Sequence, residues 1–224
     1  MTHSLELAGE SVVFHPWGGL FWPAASTLLL SDLHLGKVMH FRKHGAAVPR
    51  AAIRRNFDRL EAIRRHFEPR TLCFLGDLFH SHINREWQLF SDWAGACTSR
   101  MQLVVGNHDV ISPLRYEALG IELYDSLEAG PFTLTHHPEA AAGRFNIAGH
   151  IHPAVRLGGA GRQTLRLPCF HLKTNQLILP AFGAFTGTHA LDPEPGDRFF
   201  ALTGDAVVPL EAAISGTPTK SSKS

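Results

Sequence analysis

The chain has 224 residues, of which 44% are hydrophobic and 18% charged, so it can build a core and is too apolar for an intrinsically disordered protein. The formal net charge of +1 gives no overall signature of a nucleic-acid-binding protein. No apolar run approaches the roughly 20 residues of a membrane span, and the N-terminus lacks a signal-peptide pattern. We therefore expect a cytoplasmic protein without a membrane segment.

The first half of the chain predicts strands that alternate with helices. The predicted elements are strands at 11–14, 20–22 and 27–30, a helix that begins at Val48-Pro49 and ends at Glu68-Pro69, a strand at 71–75, a helix at 86–96, a strand at 102–105 and a short helix at 113–119. Such a βαβ order predicts a parallel sheet, and open sheets of this kind bind ligands in the loops that follow their strands.

Beyond about Gly120 short strands dominate. They are predicted at 132–135, 145–148, 154–157, 164–167, 177–179, 199–202 and 207–209. We expect a second, more antiparallel sheet packed against the first. The predicted fold class is therefore α/β, a two-sheet sandwich flanked by helices, with one domain over residues 1–215 and a flexible polar tail at 216–224.

Two residue types stand out in the composition. The three cysteines, Cys73, Cys97 and Cys169, are scattered and odd in number, which argues against a disulfide framework and fits a reducing compartment. We expect each to be a buried thiol. Histidine is abundant, with 15 residues, several of them beside Asp, Asn or Gly. Because histidine is the commonest metal ligand, the composition alone points to a metal site.

Polar clusters follow the predicted strands. They are Asp32-Leu33-His34, Gly76-Asp77-Leu78-Phe79-His80, Gly106-Asn107-His108-Asp109, Gly149-His150-Ile151-His152 and, as a fifth candidate, His136-His137. Asp-x-His and His-x-His put two donors on one side of an extended segment, because side chains alternate with a period of two. Asp-x-His and Gly-x-His-x are weak signals alone and Gly-Asn-His-Asp is moderately specific, but the ordered set strongly indicates a metal site.

The donor types indicate which metals the site would take. Carboxylate and imidazole donors without thiolate suit manganese, iron or zinc. Two metals about 3.5 to 4 Å apart need a bridging ligand, and Asp77 on the central loop is the natural choice. A water shared by two such cations loses a proton easily and becomes a nucleophile near neutral pH.

The ordered motifs between Thr27 and His152 resemble those of the calcineurin-like binuclear metallophosphoesterases. The resemblance implies a first metal held by Asp32, His34 and His152, a bridging Asp77, and a second metal held by Asn107, His136 and His150. It also implies that His108 stands near the scissile phosphate as a hydrogen-bond or proton donor, and that Asp109 orients His108.

Two assignments within this resemblance stay open. His136 is preferred over its neighbour His137 as a ligand. His80 stands where many family members carry an acidic residue, and it either contributes to specificity and leaving-group handling or caps its loop. For the remaining candidates a surface or capping role is favoured: His40, His44, His137, His171 and His189.

A narrower resemblance is to one bacterial subfamily, the ligase-associated DNA damage response endonucleases. It is carried by Phe21-Trp22-Pro23-Ala24 and by the segments 32–37, 76–81 and 179–187. It implies manganese-dependent cleavage of a phosphodiester, with single-stranded DNA as a substrate and functional association with a DNA ligase, a helicase and an exonuclease. The segment from Pro180 to Gly187 equally fits a loop that closes the second sheet.

Candidate substrate contacts are fewer. Between Arg42 and Arg70 nine basic and three acidic residues give a local positive excess, which suits a phosphate backbone. A solvated helix face is favoured for the stretch 54–65, whereas Lys37 and Arg42, close after the first motif, are better substrate candidates. Three tryptophans suit base stacking, although core packing is favoured for each: Trp22, Trp87 and Trp93.

The predicted activity is phosphodiester hydrolysis at a two-metal centre, with His108 stabilising or protonating the departing oxygen. One alternative is a small-molecule phosphatase or nucleotide pyrophosphatase. Another is a non-catalytic protein-binding scaffold on the same fold, against which the presence of His108 and of all the proposed ligands argues.

Overall fold

The structure, a computed structural model, describes residues 1–37, 51–80, 82–140, 143–159 and 163–210, with residues 51–53 described by their backbone only. Four predicted features lie outside these residues. They are the substrate candidate Arg42, the surface or capping roles of His40 and His44, the helix start at Val48-Pro49 and the polar tail at 216–224.

The first sheet has seven described strands in the order β1-β2-β3-β4-β5-β6-β7. The strands are β1 (His3–Leu7), β2 (Glu10–Phe14), β3 (Leu20–Trp22), β4 (Thr27–Leu30), β5 (Thr71–Leu75), β6 (Arg100–Val104) and β7 (Ile121–Tyr124). β1 to β4 pair antiparallel, and β4 to β7 pair parallel. The continuous apolar runs of β4 and β5 and most of β6 are buried because this parallel part is covered on both faces.

Helices cover the outer face of the first sheet. They are α1 (Ala51–Phe67), α2 (Arg85–Ala96) and α3 (Pro113–Glu117). The apolar stripe of α1 buries Leu60 and Ile63, and α2 buries Phe90, all in one cluster with strand residues such as Phe74. The α2 helix begins at Asn84, whose side chain accepts a hydrogen bond from the Glu86 N–H at 2.8 Å.

The second sheet contains the remaining described strands. They are β8 (Leu127–Ala129), β9 (Phe132–Leu134), β10 (Phe145–Ala148), β11 (Pro153–Gly158), β12 (Thr164–Lys173), β13 (Gln176–Ile178), β14 (His189–Ala190), β15 (Arg198–Leu202) and β16 (Val207–Leu210). Their order is β14-β11-β12-β13-β10-β9-β8, with β15 and β16 joined beside β12. Most pairs are antiparallel, as predicted, but β9, β10 and β13 run parallel to one another, and β11 pairs parallel with β14.

The two sheets pack face to face over one apolar cluster. Phe14 and Leu29 of the first sheet meet Ile147 and Phe170 of the second, and the Phe14 and Phe170 rings stack with centroids 4.1 Å apart. Each such fully buried side chain contributes about 1.5–3 kcal/mol. The predicted two-sheet α/β sandwich flanked by helices is therefore confirmed.

Several details differ from the prediction. The short strands β1, β7, β8 and β14 have no counterpart among the predicted elements, and β12 extends to Lys173. Cys73 and Cys169 are buried as expected, but Cys97 is only half-buried. The surface role favoured for His171 is wrong, because this ring is buried with its Nε2 2.9 Å from Asp197 Oδ2.

Among the described residues, no helix combines the length and the hydropathy that crossing a membrane requires.

Candidate metal centre

The predicted ligands lie where strands of both sheets end. The Asp-x-His motif follows β4, the Asp77 loop follows β5, and the Asn107-His108 loop follows β6. In the second sheet His136 follows β9, and the His-x-His motif follows β10. Because β9 and β10 run parallel, their carboxyl ends deliver both histidine loops to the same edge. The candidate centre therefore lies at one end of the sandwich, between the sheets.

One group of donors consists of Asp32, His34 and His152, whose ligand atoms all lie within 4.8 Å of one another. Asp32 Oδ1 is 3.0 Å from His152 Nε2, and the Nε2 atoms of His34 and His152 are 3.3 Å apart. Asp32 and His34 are buried. The structure thus brings together the three residues predicted to hold the first metal.

A second group surrounds His136. Its Nε2 atom is 3.0 Å from Asn107 Oδ1, 3.1 Å from His150 Nδ1 and 3.4 Å from Asp77 Oδ1. The other carboxylate oxygen of Asp77, Oδ2, lies 3.6 Å from His34 Nε2. Asp77 therefore sits between the two groups, in the position that a bridging ligand requires.

The protonation of two histidines indicates that these groups suit cations. His152 Nδ1 lies 3.1 Å from the carbonyl of Gly187, and His136 Nδ1 lies 3.0 Å from the carbonyl of Leu75. A carbonyl only accepts hydrogen bonds, so Nδ1 carries a proton in both rings, and Nε2 is the nitrogen left to bind a cation.

The Nε2 atoms of both rings face oxygen atoms. His152 Nε2 lies 3.0 Å from Asp32 Oδ1, a buried carboxylate oxygen. His136 Nε2 faces Asn107 Oδ1 and Asp77 Oδ1. Such a gathering of lone pairs and negative charge is stable only where a proton or a metal cation lies among them. The donor set therefore fits a pair of divalent cations.

The neutral imidazoles that metal binding requires are also favoured. Burial lowers the pKa of His34 to about 3, in spite of the opposing charge of Asp32. Burial and the neighbouring His137 and His136 lower the pKa of His150. Both rings are therefore neutral imidazoles at neutral pH, and each has a nitrogen able to bind a cation.

Glycines allow the loops to approach one another closely. A Cβ on Gly149 would lie 1.7 Å from Ser31 Oγ and 2.7 Å from Asp32 Oδ2. A Cβ on Gly106 would lie 2.4 Å from Asp77 Oδ1. Neither position has room for a side chain, so the glycines of these motifs are required for the donors to meet.

The ligand backbone is strained as well. Five of the predicted ligands have a positive φ: Asp32 (54°), His34 (47°), Asp77 (50°), His150 (69°) and His152 (51°). This left-handed conformation costs non-glycine residues about 1–2 kcal/mol each. Strain of this kind concentrates at functional sites, where the surrounding fold enforces it.

The predicted catalytic residues lie beside the donors. The His108 N–H donates to Asp77 Oδ1 at 2.9 Å, and the His108 ring lies 4.7 Å from the His80 ring and 5.5 Å from the His34 ring. Asp109 Oδ1 accepts a hydrogen bond from the Phe79 N–H at 3.0 Å, and its Oδ2 accepts one from the Gly106 N–H at 2.9 Å. Asp109 therefore joins the β5 and β6 loops, and its orientation of the His108 imidazole stays a prediction.

His137 is exposed, as the favoured surface role predicts, but it lies close to the second group of donors. Its ring centroid lies 3.9 Å from that of His150, and ligand atoms of His136, His137 and His150 all fall within 4.8 Å of one another. His136 is buried and reaches Asn107, whereas His137 is exposed beside His150. The adjacent pair of histidines was the available signal, and only the packing separates their positions.

The predicted substrate residues are less completely described. Lys37 is half-buried, and the charges of Asp77 and Asp32 oppose the lowering of its pKa by burial, so the ammonium lies near the donor groups. On α1, Arg64 and Arg65 both pair with Glu61, at 2.8 Å and 2.6 Å. This pairing supports a solvated helix face at that end of α1.

The tryptophans belong mainly to the core. Trp22 lies between the sheets, and Trp87 packs from α2 into the cluster on the outer face of the first sheet, each only 8% exposed, so core packing is confirmed for both. Trp93 is half-buried and donates through Nε1 to Glu61 at 3.1 Å. Burial therefore leaves neither Trp22 nor Trp87 available to stack on nucleic-acid bases.

Comparison with known proteins supports this description. The crystal structure of the Pseudomonas putida nuclease MPE is similar, with 27% identity, a TM-score of 0.76, and coverage of 94% of this chain and 100% of the nuclease. A weaker similarity is to Yfce, a phosphoesterase from E. coli, with 14% identity, a TM-score of 0.42, and coverage of 81% of this chain and 96% of that one. No curated protein matches the sequence.

A family model gives the assignment. The model for the calcineurin-like phosphoesterases matches residues 25–177, a region that includes every predicted metal ligand. With more than half of its length matched, this chain belongs to the calcineurin-like phosphoesterase family.

Proposed function

We propose that this chain is a phosphodiesterase that cleaves single-stranded DNA internally. It would use two divalent cations, manganese in preference to iron or zinc, and serve DNA repair together with a DNA ligase, a helicase and an exonuclease. One observation carries the catalytic part of the proposal. Seven carboxylate, amide and imidazole donors from both sheets meet at one edge, with Asp77 between two groups.

Two further observations support DNA as the substrate. The similarity to the nuclease MPE extends over that whole protein and is not confined to the metal motifs. Lys37, which follows the Asp-x-His motif directly, supplies a cation close to the donor groups, where a phosphate would bind. The similarity to a nuclease favours a phosphodiester polymer over a small phosphomonoester, and Lys37 supplies a cation for its phosphate.

The proposal assigns the donors to two subsites. Asp32, His34 and His152 would hold one cation, Asp77 would be shared, and the other cation would be held by Asn107, His136 and His150. When bound, the two cations would offset negative charge on the phosphate oxygens and lower the pKa of the attacking water.

His108 would act on the leaving group. Its backbone N–H is bound to Asp77 Oδ1, so the β6 loop is fixed to the shared ligand, and its ring lies beside that of His34. From this position the imidazole would donate a hydrogen bond or a proton to the departing oxygen. His80, whose ring is 4.7 Å from that of His108, would contact the same oxygen or the nucleotide that leaves with it.

Asp109 would act through the backbone. Its carboxylate accepts the N–H groups of Phe79 and Gly106 and so keeps the β5 and β6 loops at a constant separation. Lys37 and Arg42 would bind phosphates of the substrate.

The decisive experiment uses circular single-stranded DNA with manganese, because a circle is cut only by an endonuclease. His108→Ala should lower the rate about 10²–10⁴-fold, the usual contribution of an acid catalyst, and Asp77→Asn at least as much. His66→Ala is the matched control, since His66 is an exposed histidine in the last turn of α1. Both site variants should retain the circular dichroism of the wild type.

The alternatives predict other outcomes. A circle left uncut at enzyme excess, with nucleotide sugars or phosphomonoesters hydrolysed, would replace the nuclease proposal by a small-molecule phosphoesterase. Fewer than two metal ions per chain by elemental analysis would favour the non-catalytic scaffold. Near-wild-type cleavage by both site variants would remove the assigned roles.

A further inference from the structure

A segment outside the metal motifs connects the two halves of the centre. We name residues 179–189 the closing segment. The Leu179 N–H donates to the Ala148 carbonyl of the second sheet at 2.8 Å. The Phe182 N–H then donates to Ser31 O at 2.9 Å, and the Gly183 N–H to Asp32 O at 3.1 Å. The closing segment therefore runs from β10 to the Asp-x-His motif that follows β4.

The same segment holds His152 at two points. The carbonyl of Gly187 accepts the His152 Nδ1–H at 3.1 Å, and the His189 N–H donates to the His152 carbonyl at 2.8 Å. The first contact sets the orientation of the ring, and the second sets its backbone. Together they direct Nε2 toward Asp32 Oδ1 and His34 Nε2. The position of this donor thus depends on the closing segment.

The closing segment lies tightly against the first-sheet motif. A Cβ on Gly183 would come within 2.4 Å of the Leu33 carbonyl and 3.1 Å of the Asp32 carbonyl. Backbone therefore packs directly on backbone, and a small displacement of the segment would be transmitted to both Asp32 and His152.

Helix α1 fixes the segment from the other side. Asn56 is buried, and its Oδ1 accepts the Ala184 N–H at 2.9 Å across 128 residues of sequence. One turn later Arg59 lies 4.8 Å above the Phe182 ring and donates to the Trp17 carbonyl at 3.0 Å. Residues three apart share a helix face, so Asn56 and Arg59 contact the segment together.

A buried asparagine in a helix is unfavourable unless its polar group is satisfied. The hydrogen bond from the Ala184 N–H satisfies the Oδ1 atom. Ala184 lies only three residues before Gly187, whose carbonyl accepts the His152 Nδ1–H. We propose that Asn56 is a positioning residue of the first metal subsite, which fixes the closing segment and through it the His152 ring. The inference rests on the proposed two-metal centre.

The test measures manganese binding directly, by electron paramagnetic resonance of the free ion at equilibrium. The wild type should bind two ions. Asn56→Leu, which has a similar volume and no acceptor, should weaken one of them about tenfold and leave the other unchanged, since outer partners of ligands typically contribute 10–100-fold. Asn56→Asp keeps an acceptor at the same place and should restore most of the affinity. Asn56→Ala is made in parallel in case the leucine variant fails to fold.

Two controls separate positioning from general stability. Ser99→Ala removes a single side-chain hydrogen bond, to the Pro69 carbonyl at 2.6 Å, at the opposite end of the parallel strands, and should leave both affinities unchanged. In a His152→Ala background, Asn56→Leu should produce no further loss, because its effect passes through His152.

The outcomes are distinguishable. The role of Asn56 alone would be overturned if the wild type binds two ions and Asn56→Leu binds both with the same affinities. An additive loss of affinity in the variant that combines Asn56→Leu with His152→Ala would also overturn it. Equal weakening of both ions by Asn56→Leu, matched by Ser99→Ala, would do the same, since it would indicate a purely structural effect. Fewer than two ions in the wild type would overturn the metal centre and this inference with it.

Discussion

The two halves of the candidate centre are built differently. In the first-sheet half, backbone hydrogen bonds join the loops to one another: His34 N–H to Asp77 O, Leu35 N–H to Leu78 O and His80 N–H to Leu35 O, each at 2.9 Å. These bonds extend the parallel pairing of β4 and β5 beyond the strands. The donors they carry, such as Asp32 and Asp77, are almost completely buried.

The second-sheet half relies on the first for its position. The His150 N–H donates to a side-chain oxygen, Asp32 Oδ2, at 2.9 Å, and His152 is held by the closing segment. Both rings are partly exposed. Within this half, a backbone bond from Gly149 N–H to His136 O, at 3.0 Å, joins the two histidine loops.

This difference has a physical consequence. Backbone pairing forms with the sheet itself, so the first-sheet half should be ordered whenever the fold is. Side-chain contacts between like donors are unfavourable without cations, so the second-sheet half should depend on metal for its order. The centre is thus a rigid carboxylate side completed by a histidine side that the cations stabilise.

The largest expected effect comes from breaking the contact between the halves. Gly149→Ala would drive a Cβ into Ser31 Oγ and Asp32 Oδ2, so His150 would move away from Asp32. We expect manganese affinity and DNA cleavage to fall roughly 100-fold, as for loss of a supporting contact at a metal site. Gly158→Ala is the control, because a Cβ there would meet nothing within 4 Å. Equal activity of the two variants would show that the halves tolerate separation.

The same division explains how much the sequence could predict. The first-sheet half could be predicted from local pattern, because an apolar run followed by Asp-x-His or Gly-Asp indicates both a strand and the ligands at its end. The parallel arrangement of β9 and β10 was not predictable in this way, since short strands such as 145–148 have no pattern that fixes their partners. The second-sheet ligands were identified from their residue types and from the family resemblance.

Residues that act through others were beyond the sequence. The helical pattern of α1 places Asn56 on the apolar face with Leu60 and Ile63, but it cannot identify the partner of Asn56, since Ala184 lies 128 positions away. His171 appeared to be a surface residue because its partner Asp197 is distant in sequence. In both cases the tertiary contact, and not the local propensity, decides the role.

Metal removal provides a smaller and more selective test of the comparison. At a manganese concentration 100 times the Kd, each site should add about 2.7 kcal/mol to the free energy of unfolding. For a chain of this size that corresponds to a rise in Tm of roughly 5 to 10 °C per site. Hydrogen exchange should slow on metal addition more at residues 149–152 than at 32–35. Equal protection of the two loops would contradict the idea that only the histidine side needs cations.

The smallest expected effect is a loss of folding stability at low pH, and it arises at His15 of the first sheet. His15 lies in the β2–β3 loop, where its Nδ1 accepts the Trp17 N–H at 3.2 Å. Burial lowers its pKa to about 4, and the positive charges of His66 on α1, the amino terminus and Arg59 act in the same direction. Its ring also packs against those of His66 and Phe67 on α1.

The sign of the effect follows from the depressed pKa. Between about pH 6.5 and 4 the unfolded chain binds a proton at His15 and the folded chain does not, so the free energy of unfolding falls as the pH is lowered. The loss should be on the order of 1 kcal/mol at pH 5 and should not grow below about pH 4, where the folded form is protonated as well. Urea unfolding of the metal-free protein at pH 7 and pH 5 measures it. His15→Asn keeps an acceptor for Trp17 and removes the titration, so its stability should depend less on pH than that of the wild type. The difference between the two proteins isolates His15, because every other titrating group is common to both. Identical pH dependence would mean that protonation of His15 does not destabilise the fold.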